Sequence, residues 1–270
     1  MSCIVTERLS VAYDRRLVVD TLDMRVPKGR ISVIIGPNGC GKSTVLKAVG
    51  RLLRPRGGAV YLNGDDISSL PTREVARRMA ILPQSPQAPP GLTVGELVGY
   101  GRFPHRNGLK RSTAQDRHAV SWALEATRLT EFETVEIDSL SGGQRQRVWI
   151  AMALAQQTEV ILLDEPTTYL DLAYQLEILE LLHHLNRTQG CTIVMVLHDL
   201  NLAARFADHM LAVRDGSIVC HGSPHEVMTP QTLGETFGIH AHIADDPCTG
   251  RPSCISYSLL AQRECKEQAC

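Results

Sequence analysis

Short runs of apolar residues recur along the chain and predict buried strands. The runs at residues 31–35, 160–163 and 192–197 are almost continuously apolar. A strand that is apolar on both faces is typical of the centre of a parallel sheet, where helices cover both sides. We therefore predict an α/β core.

Other parts of the chain follow different periods. Residues 4–27 alternate short apolar and polar stretches, which predicts antiparallel strands. Residues 94–100 and 113–128 carry helical spacing. The proline-rich segment at residues 85–91 continues neither a strand nor a helix. We predict a hinge there, followed by an inserted and mainly α-helical subdomain that extends to about residue 140.

The remaining elements are predicted from local pattern. Asp215 and Gly216 form a hairpin turn signal between two short strands, and the chain ends in a polar tail without a catalytic pattern. We predict further strands at residues 57–64, 80–84, 210–213 and 217–220, and helices at residues 71–79, 145–156 and 172–186.

Composition narrows the function classes. The 270 residues are 43% hydrophobic and 21% charged, as in a soluble globular protein, and the net charge of −1 argues against general affinity for nucleic acid or anionic membranes. The first residues lack the blocks of a signal peptide, so we expect a cytosolic protein with reduced thiols. Cys248, Cys254, Cys265 and Cys270 contain no C-x-x-C pair, so we expect a solvated tail rather than a metal site.

A glycine-rich loop lies between the first buried strand and a predicted helix. The helix start directs N–H groups and a positive dipole end at one place, which favours polyphosphate. We expect Lys42 to contact the β- and γ-phosphates and the Ser43 hydroxyl to bind Mg²⁺. The loop predicts nucleotide binding because it fits G-x-x-x-x-G-K-[ST], with Gly36, Pro37, Asn38, Gly39, Cys40, Gly41, Lys42, Ser43 and Thr44.

Polar residues follow the two later buried strands, at the edge where ligands of open α/β sheets bind. Asp164 and Glu165 follow residues 160–163, and His198 follows residues 192–197. Because neighbouring residues on a strand point in opposite directions, we predict that Asp164 faces Mg²⁺ and Glu165 faces the attacking water. His198 is predicted to contact the γ-phosphate.

Two features have both a structural and a functional interpretation. Tyr13, which we place on an early loop, either stacks on adenine or packs in the core, and the downstream phosphate loop favours stacking. A second glycine-rich helix start either holds another phosphate or is a plain N-terminal cap. Its residues are Ser141, Gly142, Gly143 and Gln144.

Together, these segments resemble the ATP-binding cassette (ABC) ATPases over nearly the whole chain. Residues 36–44 are similar to the Walker A loop, residues 140–144 to the family signature, and residues 160–165 to Walker B with its catalytic glutamate. Gln84, Asp171 and His198 resemble the Q-loop, D-loop and H-loop residues. The resemblance implies catalytic roles for Lys42, Gln84, Glu165 and His198, Mg²⁺ ligation by Ser43, Gln84 and Asp164, and nucleotide contacts from Ser141, Gly142, Gly143, Gln144 and Asp171.

The resemblance also implies an architecture and partners. The fold would be a P-loop core with an antiparallel β subdomain (residues 1–84 and 157–235), a helical subdomain with the signature helix (residues 85–156) and a C-terminal tail (residues 236–270). ATP and Mg²⁺ would be the cofactors, and ATP would close a head-to-tail dimer. The chain would be a peripheral protein on the cytoplasmic face of the bacterial inner membrane, where it would bind integral permease subunits. A substrate-binding protein would be an indirect partner, and no nucleic acid would bind.

Three segments, at residues 101–105, 166–171 and 245–247, are similar to the branch serving ferric-siderophore and cobalamin importers. We therefore predict the ATPase of an iron(III)-siderophore importer, with residues 102–105 on the permease-facing surface, and cobalamin or haem import as the alternative. The alternative outside transport is a soluble ATP-driven clamp or assembly factor. Such clamps usually carry two cassettes, a coiled coil or a basic surface, and the sequence indicates none of these. A P-loop kinase would leave the signature unexplained.

Overall fold

A computed structural model describes residues 2–106, 112–168 and 170–260. Tyr169, which lies in one of the segments that resemble the siderophore branch, is outside the described residues, as are Cys265 and Cys270. In that described part of the chain, no helix has both the length and the apolar character that a membrane span requires.

The described residues contain both strands and helices. The strands are β1 (Ser2–Tyr13), β2 (Arg16–Pro27), β3 (Ile31–Ile35), β4 (Gly57–Leu62), β5 (Asp65–Asp66), β6 (Met79–Leu82), β7 (Val160–Asp164), β8 (Thr192–Val196), β9 (His209–Arg214), β10 (Ser217–Gly222), β11 (Ile239–Asp245) and β12 (Pro252–Leu259). The α-helices are α1 (Lys42–Val49), α2 (Thr72–Arg78), α3 (Val94–Tyr100), α4 (Ala114–Ala126), α5 (Gly142–Ala155), α6 (Leu172–Gln189), α7 (Leu200–Phe206), α8 (Pro224–Val227) and α9 (Pro230–Phe237). Short 3₁₀ turns lie at Phe103–His105, Thr130–Phe132 and Ile137–Ser139.

The described residues form two compact units. The first contains the residues up to Ser68 and those from Val194 onward, and the second contains Ser69–Ile193. Strand β8 is divided between them, because the boundary falls between Ile193 and Val194.

The first unit contains two sheets and a hairpin. The antiparallel sheet has the order β2-β1-β4-β5, which confirms the antiparallel strands predicted at the start of the chain. In the other sheet, β9 pairs antiparallel with β10 and parallel with β3, and β3 is followed by β8. Gly216 takes a positive φ of 76° in the turn between β9 and β10, as the hairpin signal predicted.

The hairpin of the first unit lies in the segment that we expected to be a polar tail. Strands β11 and β12 pair antiparallel there. Cys248 is exposed, whereas the side chain of Cys254 is buried in β12. The Asn201 amide side chain fixes this strand by accepting a hydrogen bond from Cys254 N and donating one to its carbonyl, at 2.8 and 3.2 Å. The expectation of solvation is therefore wrong for Cys254.

The second unit contains a parallel strand pair and a helical part. β6 and β7 pair in parallel with Leu82 opposite Leu163. Residues 85–91, which follow β6, form neither helix nor strand, as predicted from their prolines. The N-caps of helices α3, α4 and α5 are Thr93, Thr113 and Ser141, and each closes a capping box with the acidic or amide side chain three residues later.

Every residue of β3, β7 and β8 is buried. This agrees with the prediction of central strands, because only a strand covered on both faces can bury all of its side chains. These strands end at the sites described next.

Candidate active site

The glycine-rich loop connects β3 to α1 in the first unit. Gly36 has a φ of 155°, and a Cβ at this position would lie 2.1 Å from the carbonyl oxygen of Val213. Gly41 precedes α1 with a φ of 105°, which side chains rarely tolerate. No side chain caps this helix start. The backbone itself therefore forms the end of α1, as an anion-binding loop requires.

Lys42 folds back over this loop. Its Nζ donates hydrogen bonds to the carbonyl oxygens of Gly36 and Pro37, both at 2.9 Å. An ammonium group has three N–H donors, so the loop takes two of them and one can serve a phosphate oxygen. Thr44 and Cys40 are buried beside it. Burial raises the pKa of the Cys40 thiol, so Cys40 acts here as a small apolar side chain.

Tyr13 lies at the end of β1 rather than on a loop, so the predicted loop position is wrong. It pairs with Arg16 across the β1–β2 turn and is 45% exposed. The same end of β2 approaches the glycine loop, because a Cβ at Gly41 would lie 3.3 Å from the carbonyl oxygen of Val18. A partly exposed ring at this end of the hairpin is compatible with stacking, and the adenine role stays a prediction.

His198 follows β8 in the first unit. The preceding residue, Leu197, donates its N–H to the carbonyl oxygen of Ile34 at 3.3 Å. Ile34 lies two residues before Gly36, so His198 and the glycine loop leave the sheet at the same edge. His198 is exposed there, and Asp199 caps the next helix by accepting a hydrogen bond from Leu202 N at 2.8 Å. The first unit therefore brings Walker A and His198 to one edge, as predicted.

The carboxylate of Glu165 has two side-chain donors in the second unit. Gln84 Nε2 donates to Glu165 Oε2 at 2.5 Å, and the Thr168 hydroxyl donates to the same oxygen at 3.0 Å. The Gln84 contact depends on the register of β6 and β7, because Gln84 and Glu165 each lie two residues beyond the paired residues Leu82 and Leu163. The structure thus joins two of the predicted catalytic residues directly.

The backbone at Glu165 is constrained. Its φ is 53°, a left-handed conformation that costs a residue with a side chain roughly 1 kcal/mol or more. Asp164, at the end of β7, has an extended conformation and is 2% exposed, and Glu165 is 7% exposed. The backbone conformation therefore changes between the two residues, and their two different roles stay a prediction.

The second glycine-rich helix start has the geometry of a complete cap. Ser141 Oγ accepts a hydrogen bond from Gln144 N at 3.3 Å, and Gln144 Oε1 accepts one from Ser141 N at 3.0 Å. A Cβ at Gly142 would meet no atom within 4 Å, whereas one at Gly143 would contact the Tyr174 ring at 3.6 Å. Ser141 therefore caps α5, a side chain at Gly142 would meet no neighbouring atom, and the phosphate interpretation stays a prediction.

The D-loop segment adjoins this helix. Asp171 caps α6 by accepting a hydrogen bond from Tyr174 N at 3.0 Å. Gln146, on α5, donates its side-chain amide to the carbonyl oxygen of Pro166 at 3.0 Å. The segment that follows Glu165 is therefore tied to the helix that begins at the signature.

Residues 19–168 match the ABC transporter family, which is more than half of the chain. The chain belongs to the ABC transporter family. It is 55% identical over 260 residues to the iron(3+)-hydroxamate import ATP-binding protein FhuC of Bacillus subtilis (strain 168), covering 96% of this chain and 97% of that protein.

Solved structures of ABC proteins share the fold. A chain of an ABC transporter in an inward-facing conformation, provisionally described as metal-chelate type, superposes with a TM-score of 0.81 and 28% identity, covering 97% of this chain and 99% of that one. The ATP-binding cassette MJ0796, a dimer bound to ADP and phosphate, superposes with a TM-score of 0.72 and 29% identity. The superposition covers 82% of this chain and 98% of that one. The predicted family and fold are confirmed, and this chain is an ABC transporter ATPase.

Three residues of this ABC site were missed by the sequence reasoning. Thr168 shares the Glu165 carboxylate with Gln84, and Arg147 lies with its guanidinium carbon 5.0 Å from the centre of the Tyr174 ring. Arg147 also forms an ion pair with Glu177. Sequence spacing could have indicated two of these contacts. Thr168 lies three residues after Glu165 and Tyr174 lies three residues after Asp171, and turns and helix starts bring residues with this spacing close together.

Proposed function

We propose that this chain is the ATP-hydrolysing subunit that energises a membrane permease importing an iron(III)-siderophore complex. The main support for this cargo is the 55% identity to a relative named for iron(3+)-hydroxamate import, over nearly the whole of both chains. The contacts of Lys42 with the phosphate loop and of Gln84 with Glu165 support ATP hydrolysis as the activity. Cobalamin or haem is the alternative cargo.

ATP is the proposed substrate and Mg²⁺ the proposed metal. The ammonium of Lys42 and the start of α1, which no side chain caps, suit a polyphosphate. The side chains of Ser43, Gln84 and Asp164 offer hydroxyl, amide and carboxylate oxygens, the hard donors that Mg²⁺ prefers. When bound, Mg²⁺ would neutralise charge on the phosphate oxygens.

The chain's own residues have separate proposed roles. Glu165 accepts a proton from, or orients, the attacking water, and His198 contacts the γ-phosphate. Tyr13 stacks on the adenine ring. Asp171 and the four signature residues contact nucleotide held by a second copy of the chain. The signature residues are Ser141, Gly142, Gly143 and Gln144.

We propose three kinds of partner. A second copy forms a head-to-tail dimer that ATP closes, and the dimeric cassette among the structural neighbours supports this arrangement. Permease subunits hold the dimer on the cytoplasmic face of the inner membrane, and a substrate-binding protein acts through them. The import role of the hydroxamate relative supports the permease.

The segment without regular structure after β6 supports a division of the chain into subdomains with different roles. We assign residues 1–84 and 157–235 to the nucleotide-binding core and β subdomain, residues 85–156 to the helical subdomain, and residues 236–270 to a C-terminal segment. Gln84 lies at the end of the core, next to the segment without regular structure. We propose that it reports the state of the nucleotide to the helical subdomain, and its place next to this segment supports the proposal.

Gln84→Ala is expected to bind ATP with near wild-type affinity while transport falls by roughly tenfold. The reason is that the variant loses the amide that contacts Glu165 and keeps the phosphate loop intact. The measurements are nucleotide affinity of the purified chain and cargo uptake in cells. Gln87→Ala, an exposed glutamine in the same segment, is the matched control and should leave both unchanged. Equal losses of affinity and transport would show a purely local role for Gln84.

Deleting the gene is expected to reduce uptake of radiolabelled iron that is delivered by the cell's own siderophores. We expect the chain to act through the permease and not to contact the cargo, so the prediction follows from the class of importer whose ATP-binding protein it resembles. Complementation with the wild-type gene should restore uptake, and complementation with Glu165→Gln should not. Unchanged iron uptake together with lost cobalamin or haem uptake would move the assignment to that alternative.

A further inference from the structure

Arg102 is a buried residue, so the expectation that it lies on the permease-facing surface is wrong. Its side chain is 2% exposed, and it is among the largest fully buried side chains of the described residues. Burying a guanidinium charge is unfavourable unless hydrogen bonds and an opposite charge compensate for it. The position therefore needs an explanation beyond exposure to a partner.

The guanidinium joins three helices of the second unit. Nε donates to Asp116 Oδ1 at 3.0 Å, and Nη1 donates to the carbonyl oxygen of Ala155 at 2.7 Å and to Gln157 Oε1 at 3.1 Å. Arg102 itself lies just after α3, Asp116 is in the first turn of α4, and Ala155 is the last residue of α5. One side chain thus connects the end of α3, the start of α4 and the end of α5.

Asp116 remains charged in this arrangement. Burial alone would raise the pKa of Asp116, but the Thr113 amide and hydroxyl and the Arg102 guanidinium outweigh that effect and lower the pKa to about 2. Its other oxygen, Oδ2, accepts hydrogen bonds from Thr113 N at 3.0 Å and from the Thr113 hydroxyl at 2.8 Å. The carboxylate therefore caps α4 and pairs with Arg102 at once.

Residues on both sides of Arg102 also contact the last turn of α5. A Cβ at Gly101 would lie 2.2 Å from the carbonyl oxygen of Met152, so the backbone there packs directly on the helix. His105 Nε2 lies 2.7 Å from the carbonyl oxygen of Gln156 and must donate, because a carbonyl only accepts. Carbonyls in a final helical turn lack intrahelical partners and carry the negative end of the dipole.

The opposite side of the same segment is exposed. Phe103 is 55% exposed, and its ring stacks on Tyr100 with 4.8 Å between centroids. Arg106 lies over the Phe103 ring at 5.5 Å. Arg73 and Arg77 each donate Nε to the carbonyl oxygen of Pro104 at 2.8 Å. We name this aromatic and cationic surface, formed by Tyr100, Phe103, Arg73, Arg77 and Arg106, the aromatic face.

Helix α5 connects the aromatic face to the signature. It begins at the Ser141 cap and has 14 residues, so it is about 21 Å long. Its first turn is at the signature, and its last turn is held by Gly101, Arg102 and His105. A displacement of the signature therefore reaches the far end of a rigid helix at the residues that carry Phe103.

We propose that Arg102 is a positioning residue that transmits movement of the signature helix to the aromatic face, where the permease binds. The proposal rests on the permease partnership proposed above. The guanidinium suits this role because it is planar and donates hydrogen bonds in several fixed directions at once. The ammonium group of a lysine cannot reproduce that set of hydrogen bonds. Because its contacts are with Asp116, Ala155 and Gln157, Arg102 affects ATP turnover through the end of α5.

The test compares ATP turnover of the purified chain with turnover of the chain reconstituted with its copurifying permease. The variants are Arg102→Lys, which keeps the charge, and the double variant Arg102→Met with Asp116→Asn, which removes both buried charges together. Arg117→Lys is the matched control, because Arg117 is the exposed residue next to Asp116 in α4. KM for ATP, kcat and thermal unfolding are measured for every chain.

Both Arg102 variants should keep the KM and kcat of the isolated chain, while stimulation by the permease falls by roughly 2- to 30-fold, with the smaller loss for Arg102→Lys. Arg117→Lys should behave as wild type. Equal losses with and without permease would overturn the proposal in favour of a purely structural role, and so would undiminished stimulation. A wild-type chain that no membrane protein stimulates would overturn the proposed function itself.

Discussion

Glu165→Gln is expected to bind ATP with near wild-type affinity and to hydrolyse it about 10² to 10⁴ times more slowly. Glutamine has almost the same shape as glutamate, so it can occupy the buried site at the end of β7 and still accept hydrogen bonds from Gln84 and Thr168. It lacks the basic oxygen that would receive a proton from water. The variant should therefore separate binding from chemistry.

Two comparisons make this test specific. Glu159→Gln changes an exposed glutamate just before the other end of β7 and should leave turnover unchanged. Lys42→Ala should lose ATP affinity as well as turnover, because it removes the ammonium from the phosphate loop. Single-turnover kinetics and equilibrium nucleotide binding are the measurements. Near-normal hydrolysis by Glu165→Gln would contradict the assignment of Glu165.

The position of Glu165 could be predicted from sequence because the strand before it carries a strong signal. All five residues of β7 are buried, and a continuous apolar run that ends in carboxylates indicates the ligand-binding edge of a parallel sheet. Strand β6 has only four residues and is followed by Pro83, so its own pattern is weak. Gln84 was consequently assigned from the family resemblance, and its contact with Glu165 required the structure.

The role of Arg102 could not be predicted in the same way. Arginine is mostly exposed in proteins, so composition favours a surface position. Its carboxylate partner lies 14 residues along the chain, and its carbonyl partner, on Ala155, lies 53 residues away. Local periodicity carries no information about such pairs, because they depend on how α3, α4 and α5 pack.

The hairpin after α9 was missed for a different reason. A strand is recognised when apolar side chains alternate with polar ones and face the core. In β12 the alternation buries no apolar face after Cys254, because residues 255–259 are all exposed, including Ile255 and Tyr257 at 70% and 71%. Hairpin pairing and the contacts of Asn201 with Cys254 fix the strand instead.

The composite-site hypothesis makes the second large prediction. If the signature of one copy covers the γ-phosphate held by the phosphate loop of the other, a two-fold dimer contains two shared sites. Lys42→Ala and Ser141→Ala chains should each be nearly inactive alone. Mixed in equal amounts, half of the dimers would combine both chains and keep one intact site of two, so turnover should recover to about a quarter of wild type if the sites act independently.

A capping control is needed because Ser141 also stabilises α5. Losing its hydrogen bond with Gln144 should cost about 1 kcal/mol of stability whatever its role with nucleotide. Thr93→Ala removes an equivalent cap from α3 and should keep its turnover. ATP should also promote dimers of Glu165→Gln, measured by light scattering, because slow hydrolysis preserves the bound nucleotide. Mixtures that recover no activity, together with monomeric Glu165→Gln at saturating ATP, would exclude shared sites and place the whole catalytic cycle within one chain.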